Sequence, residues 1–173
     1  MFADISNPKV LSDVLPLLAG ILTTEWTFIF AARRLFGKYI NKWYTDYGIY
    51  ALMSDVASIL IGLLLARYLY SYVFDEWSLL SYTSLAVGIQ VIHDVLFYLF
   101  IIVPTPMGQN GILDILKPYA REAGGWAIPG DSWMMIGSAV LASVFKTLSP
   151  DVQAFIVAAG VYMLPYAIYD RPV

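Results

Sequence analysis

Between Ser78 and Val103 the only Asp, Glu, Lys, Arg or His residues are His93 and Asp94. A lipid hydrocarbon core takes about 20 apolar residues in helical form, so a run of this length constrains the surrounding solvent before it constrains any fold. Four further runs share the pattern, and together they define candidate spans at residues 14–36, 48–74, 78–103, 132–148 and 152–168. The chain is 60% hydrophobic and 13% charged, the latter roughly half the charge content of an average soluble domain. Such a chain cannot cover itself in water. The expected architecture is therefore an all-α integral membrane protein, one domain over residues 1–173, with a bundle of about five transmembrane helices.

Composition also removes several chemistries. A net charge of -3 gives no reason to invoke nucleic acid. With no cysteine and a single histidine, disulfides, thiolate catalysis and a histidine-cluster metal site are excluded, and no cofactor is implied. The opening "MFADISNPKVLSDVLP" has no basic stretch followed by an apolar core, so insertion is expected to use the first span itself. The last two runs are joined by "TLSPD", where Ser149 is a candidate cap and Pro150 suits a first helical turn. They are read as spans, the alternative being a re-entrant hairpin.

Basic residues orient the spans, because cytoplasmic loops carry their excess. Arg33, Arg34, Lys38 and Lys42 follow the first span, whereas "FDEWS" after the second has Asp75 and Glu76 and no base. Five spans then put the N-terminus outside and the C-terminus in the cytoplasm. Lys117, Arg121 and Arg171 join the inner set, and Lys9, Arg67 and Lys146 fall outside. Arg67 and Lys146, near outer helix ends, are expected to snorkel. Trp43, Tyr44 and Tyr47 on the inner side, and Tyr70, Tyr72 and Trp77 on the outer, are expected to anchor at headgroup depth. Between the third and fourth spans, residues 110–123 place Ile112, Leu113, Ile115, Leu116 and Tyr119 on one side, the pattern of an amphipathic interfacial helix. Asp131 or Ser132 is expected to cap the helix that follows.

The acids inside the spans fall near one depth. Glu25 lies eight residues before Arg33, Asp55 seven after Gly48 and Asp94 nine before Val103, each roughly 10 to 14 Å from the inner boundary at about 1.5 Å per residue. Ala51, Asp55, Ser58 and Gly62 form one small or polar stripe, and Thr83, Gln90 and Asp94 another, with His93 beside Gln90. Glu25 has apolar neighbours at i±3 and i±4, so its partner must come from elsewhere. An ionised acid at mid-membrane costs about 2.5 to 3.5 kcal/mol on insertion scales. Glu25, Asp55, Gln90, His93 and Asp94 are therefore the candidate residues of an ion or proton pathway, in a channel or transporter. The alternative is a noncatalytic scaffold that uses the same polar layer for helix packing.

Catalysis is the weaker reading. Ser54 and Ser58 are the serines nearest in depth to His93 but lack a G-x-S-x-G setting. The "IPGDS" segment lacks the first glycine of a glycine-x-glycine-aspartate protease motif, and no mid-helix lysine suits retinal. No catalytic residue is assigned.

The run from His93 to Ala142 has a recognisable texture: His93-Asp94, Phe97-Tyr98, Pro104, Pro106, Gly108, Asn110, Asp114, Lys117, Tyr119-Ala120, Asp131-Ser132 and Met134-Met135. Over this part, less than a third of the chain, the sequence resembles an uncharacterised multipass membrane family encoded by large DNA viruses, including those that infect algae. That likeness implies a viral or host membrane location and no particular activity. The expected partner is the lipid bilayer, with homo-oligomers or other membrane proteins left open.

Since the chain has no cysteine, single cysteines report its direction cleanly. In intact, right-side-out cells a membrane-impermeant thiol reagent is expected to label Glu76→Cys and to spare Lys38→Cys. The opposite labelling inverts the orientation.

Overall fold

The computed structural model describes residues 2–35 and 37–170. The fold is all-α. A 3-10 turn at Leu11–Asp13 leads into α1 (Val14–Leu35), followed by α2 (Lys38–Tyr47), α3 (Ile49–Val73), α4 (Leu79–Phe97), α5 (Gly111–Ala123), α6 (Ala127–Phe145) and α7 (Pro150–Ile168). Five helical stretches are long and apolar enough to cross a membrane. Large apolar side chains such as Leu80, Ile92, Phe100, Phe155 and Val161 are exposed on their outer faces. These surfaces suit contact with lipid, and the chain is an integral membrane protein.

Helix α1 is the central element. It packs against α3, α6 and α7. A Cβ on Gly20 would come within 2.5 Å of the Ser138 carbonyl oxygen and 2.8 Å of the Ala142 nitrogen. The absence of a side chain therefore lets two helix backbones touch, the usual device for close packing in lipid. Farther along, Gly137 of α6 meets Thr24 of α1. These pairs run α6 antiparallel to α1. Helix α7 returns parallel to α1, with Gly160 against Leu22 and an Arg34–Asp170 ion pair at 3.0 Å. Both α6 and α7 thus pack along α1, running in opposite directions.

Where the structure differs from the sequence reading, the cause is local. The stretch read as a basic loop contains α2, whose Ile40, Trp43 and Tyr44 are buried; these share one helical face at i, i+3 and i+4. Trp43 and Tyr44 are therefore core residues and not headgroup anchors. Tyr70 is likewise buried, packed on Phe74, Trp77 and Tyr82 with ring centroids 5.0, 5.9 and 5.9 Å away. Helix α6 begins at Ala127, five residues before Ser132. Gly124, at φ +54°, turns the chain, and Pro129 falls in the first turn, where a missing N–H costs nothing. Asp131 and Ser132 are thus inside the helix and do not cap it. Ser149 precedes α7 without a side-chain cap bond, and Pro150 is the first helical residue.

The two short helices are tied together at one end of the bundle. The Glu122 carboxylate of α5 accepts the backbone N–H groups of Lys38 (3.2 Å) and Tyr39 (3.0 Å), satisfying two of the free amides at the start of α2. Asn110 caps α5 by accepting from Ile112 and Leu113. Lys117 donates to the Val103 carbonyl at 3.1 Å, just past the π-helical segment Tyr98–Ile102 that extends α4. This end also carries Arg34, Lys38, Lys42 and Arg121, and is called the basic end; Arg171 lies outside the described residues.

The opposite end is closed. Arg67 does not snorkel; it is 2% exposed and donates to the carbonyls of Asn7 and Val10 and to Asp13 Oδ2 at 3.3 Å. Lys146 joins at 2.7 Å from Asp13 Oδ1. Tyr82 donates to the Leu63 carbonyl at 2.9 Å. Ile5, Leu17, Ile21, Leu63, Met135 and Ala139 fill the space beneath.

The backbone contact at Gly20 predicts an asymmetry between two glycines. Gly20→Ala is expected to lower stability by about 1 to 3 kcal/mol through overpacking. Gly88 has nothing within 4 Å of an added Cβ, so Gly88→Ala is expected to leave stability unchanged or raise it by up to about 1 kcal/mol. Thermal unfolding in a single detergent checks both, and equal effects at the two sites would refute the close α1–α6 approach.

Candidate functional site

A cavity of ≈ 730 Å³ occupies the basic-end half of the bundle, between α2, α3, α4 with its π-helical extension, α5 and α6. Its walls include Trp43, Tyr44, Phe97, Tyr98, Leu116 and Tyr119, and its polar groups include Asp55, Gln90, His93, Asp94 and Asp131. Four of the five candidate pathway residues therefore line one space. Glu25 is not among the lining residues.

Asp55 is held by the helix that was missed in the sequence. Tyr44 donates to Asp55 Oδ2 at 3.0 Å, and Trp43 Nε1 donates to the same oxygen at 3.4 Å. Burial first, and then the Asp55 and Glu25 charges, keep the Tyr44 hydroxyl well above the ordinary tyrosine pKa of 10.0, so it remains a donor. Ser58, on the same stripe, donates to the Asp55 carbonyl at 2.9 Å.

Asp94 sits one helix away. Its Oδ1 accepts from Gln90 Nε2 at 2.6 Å and lies 3.2 Å from His93 Nδ1. The two residues preceding a turn of α4 thus support its carboxylate from below and beside, as the i, i+4 spacing allows. His93 is 56% exposed and stacks on Phe97 at 5.8 Å, so it joins Asp94 to the cavity's accessible side. Asp94 Oδ2 has no hydrogen-bond partner among the described residues, and Asp131 of α6 lines the same cavity as Asp94. Two ionised carboxylates can only accept, so this pair can hydrogen-bond to each other only when one of them carries a proton.

Glu25 is expected to find a partner elsewhere in the protein, and among the described residues no hydrogen-bond partner is present. It is 0% exposed, neither carboxylate oxygen has a hydrogen-bond partner among the described residues, and its charge interacts with those of Asp55 and Asp131. Four acids on α1, α3, α4 and α6 thus form one electrostatic group. Asp131 is the member that sequence reading missed. Its signal, a small polar residue after Pro129-Gly130, matched a helix cap, and only the earlier start of α6 reveals it as cavity-lining.

Among the described residues no group of three His, Asp or Glu side chains is arranged to hold a metal ion. Ser54 and Ser58 line the cavity as well, but the Ser58 hydroxyl is engaged with its own helix. The arrangement can accept, hold and pass a proton, and can attract a cation. Comparison with protein-family models, curated proteins and solved structures gives no match.

Tyr44 provides a direct check on this geometry. Tyr44→Phe leaves Asp55 short of a buried donor and is expected to cost about 1 to 3 kcal/mol. The fold also holds the Tyr44 proton at pH values where an unfolded tyrosine has lost it, so the unfolded state binds fewer protons above pH 10.0 and stability falls there. The wild type is therefore expected to lose stability more steeply above that pH than Tyr44→Phe, as read from denaturant midpoints. Parallel pH profiles would remove the proposed role of the Tyr44–Asp55 bond.

Proposed function

We propose that the protein is a proton-handling membrane transporter whose working site is the acidic cavity. The observation that carries this reading is the convergence of Asp55, Asp94 and Asp131 on one space at the basic end, coupled to the buried Glu25, while the other end is packed shut around Arg67 and Asp13. An ionisable residue within the membrane is expensive and is by default tied to a pathway. A cavity that opens toward one end and is sealed at the other suits a carrier that alternates its access better than a continuous channel.

Histidine is the side chain that titrates nearest neutral pH. In this reading His93 exchanges protons with the aqueous side and Asp94 passes them inward. The excess of lysine and arginine at the cavity's end supports a cytoplasmic opening, with the N-terminus outside and the C-terminus in the cytoplasm. The likeness of the His93–Ala142 run to the viral membrane family supports a viral or host membrane as the place of action.

A scaffold role without transport is the competing reading, and the pairing of Asp13 with both Arg67 and Lys146 is the feature a static structural element would share. Flux decides between them. Proteoliposomes loaded with a pH-sensitive dye are expected to dissipate a proton gradient faster than empty liposomes. Asp94→Asn and His93→Gln, which retain hydrogen bonding but not titration, are expected to return the rate to that of empty liposomes with the fold intact. Undiminished flux in both variants removes the relay, and no flux in the wild type under proton, Na⁺ or K⁺ gradients supports the scaffold.

A further inference from the structure

The charges around the cavity are unbalanced. Among the described residues no lysine or arginine lines it, and His93 is the one basic side chain that does. Three cations at the same end are engaged elsewhere: Lys117 with the Val103 carbonyl, Lys42 with Asp46, and Arg34 with Asp170. Among the described residues, three aspartates therefore face the space without a fixed counter-charge. Asp94 Oδ2 has no donor, and Glu25, fully buried and unpartnered, adds to the same field.

The remaining lining defines what kind of cation fits. Small divalent ions need several oxygens within about 2.0 to 2.6 Å of one point, and no such group is present among the described residues. A diffuse monovalent charge has no such requirement. It is stabilised by carboxylates set around it and by aromatic faces within about 6 Å of the charge, and Trp43, Tyr44, Phe97, Tyr98 and Tyr119 supply those rings. The cavity's ≈ 730 Å³ falls within the roughly 300 to 1,000 Å³ of small-molecule sites, which are lined mainly by apolar groups with a few placed polar ones.

We propose that the cavity binds an organic ammonium ion with an apolar body, its charge held among Asp55, Asp94 and Asp131 and its body against the aromatic walls. This assignment deepens the transport reading by naming the cargo class. Binding exchanges charge for charge: the ammonium takes the place of a proton held on one of the cavity aspartates, and that proton leaves through His93 to water. No covalent bond forms or breaks apart from the transferred O–H. A soluble amine and an aminolipid headgroup both carry such an ammonium, two sources with one recognition chemistry.

The test uses the full chain in dodecyl maltoside micelles, which contain no ammonium. Labelled tetraphenylphosphonium, a diffuse cation with an apolar body, is expected to bind saturably and to release protons into weakly buffered solution. Its anionic counterpart of the same shape, tetraphenylborate, is not. Asp131→Asn is expected to weaken the cation at least about tenfold, the effect of losing one charge-assisted contact. Asp151→Asn, on the exposed first turn of α7, is expected to change nothing. Should Asp131→Asn fail to fold by thermal melting, Asp94→Asn carries the same comparison. Competition by benzyltrimethylammonium alone indicates a soluble amine, and competition by added phosphatidylethanolamine indicates a lipid headgroup; competition by neither overturns the ammonium assignment. Equal binding of the two tetraphenyl ions, or no loss in the aspartate variants, also overturns it. Proton flux without cation binding refutes this inference alone, whereas cation binding without flux refutes the transport reading and leaves the binding site standing.

Discussion

The approach of α1 to α6 at Gly20 governs the geometry of everything around it. In lipid there is little hydrophobic gain from bringing two helices together, so association depends on close packing and hydrogen bonds. Gly20 removes the side chain that would separate the two backbones, and Ser138 and Ala142 present small surfaces in return. Because the helices touch there, the residues one to three turns farther along, Glu25 on α1 and Asp131 on α6, come close enough for their charges to interact. A wider crossing would separate these acids and let lipid or water between them.

The two ends of the bundle handle buried charge in opposite ways. At the closed end Asp13 meets Arg67 and Lys146, and Arg67 satisfies backbone carbonyls of the chain preceding α1. Opposite charges with their hydrogen bonds largely met are a stable arrangement once formed, and losing one partner costs about 3 to 5 kcal/mol because the other is left buried. At the basic end the acids have neutral donors in place of a counter-charge. Tyr44, Trp43 and Gln90 supply hydrogen bonds to Asp55 and Asp94, and His93 lies beside Asp94, but among the described residues no lysine or arginine lines the cavity to neutralise them. Such a site is poised to take up positive charge from outside the chain, as protons or as a bound cation. The contrast between the ends is the physical basis for assigning function to one and structure to the other.

The short helices turn that poised cluster into a cavity. Helix α2 places Trp43 and Tyr44 on Asp55, while α5, held to α2 through Glu122, supplies Leu116 and Tyr119 to the wall. The π-helical segment at Tyr98–Ile102 shifts the hydrogen-bond ladder of the third span by one residue, from i→i+4 to i→i+5, where Val103 donates to Tyr98. Tyr98, Leu99 and Ile102 then face the cavity.

Apolar length and residue spacing determined the all-α membrane class, because a continuous apolar run of about 20 residues fits a spanning helix, which meets its own backbone hydrogen bonds, and is twice the length a barrel strand needs. The same spacing indicated the amphipathic helix at Gly111–Ala123 and a similar depth for Glu25, Asp55, His93 and Asp94, since helical rise converts sequence distance directly into height. It was silent on azimuth between helices. For that reason Asp131 passed for a cap, Arg67 for a snorkelling residue, and Trp43 and Tyr44 for surface anchors: each reading used only neighbours in sequence. The three-dimensional packing decided that Asp131 lines one cavity with Asp94, that Arg67 meets Asp13 fifty-four positions away, and that Glu25 meets no donor at all among the described residues. Contacts of that kind depend on how whole helices cross, and the crossing depends on where two backbones can touch, which one chain's local periodicity does not encode.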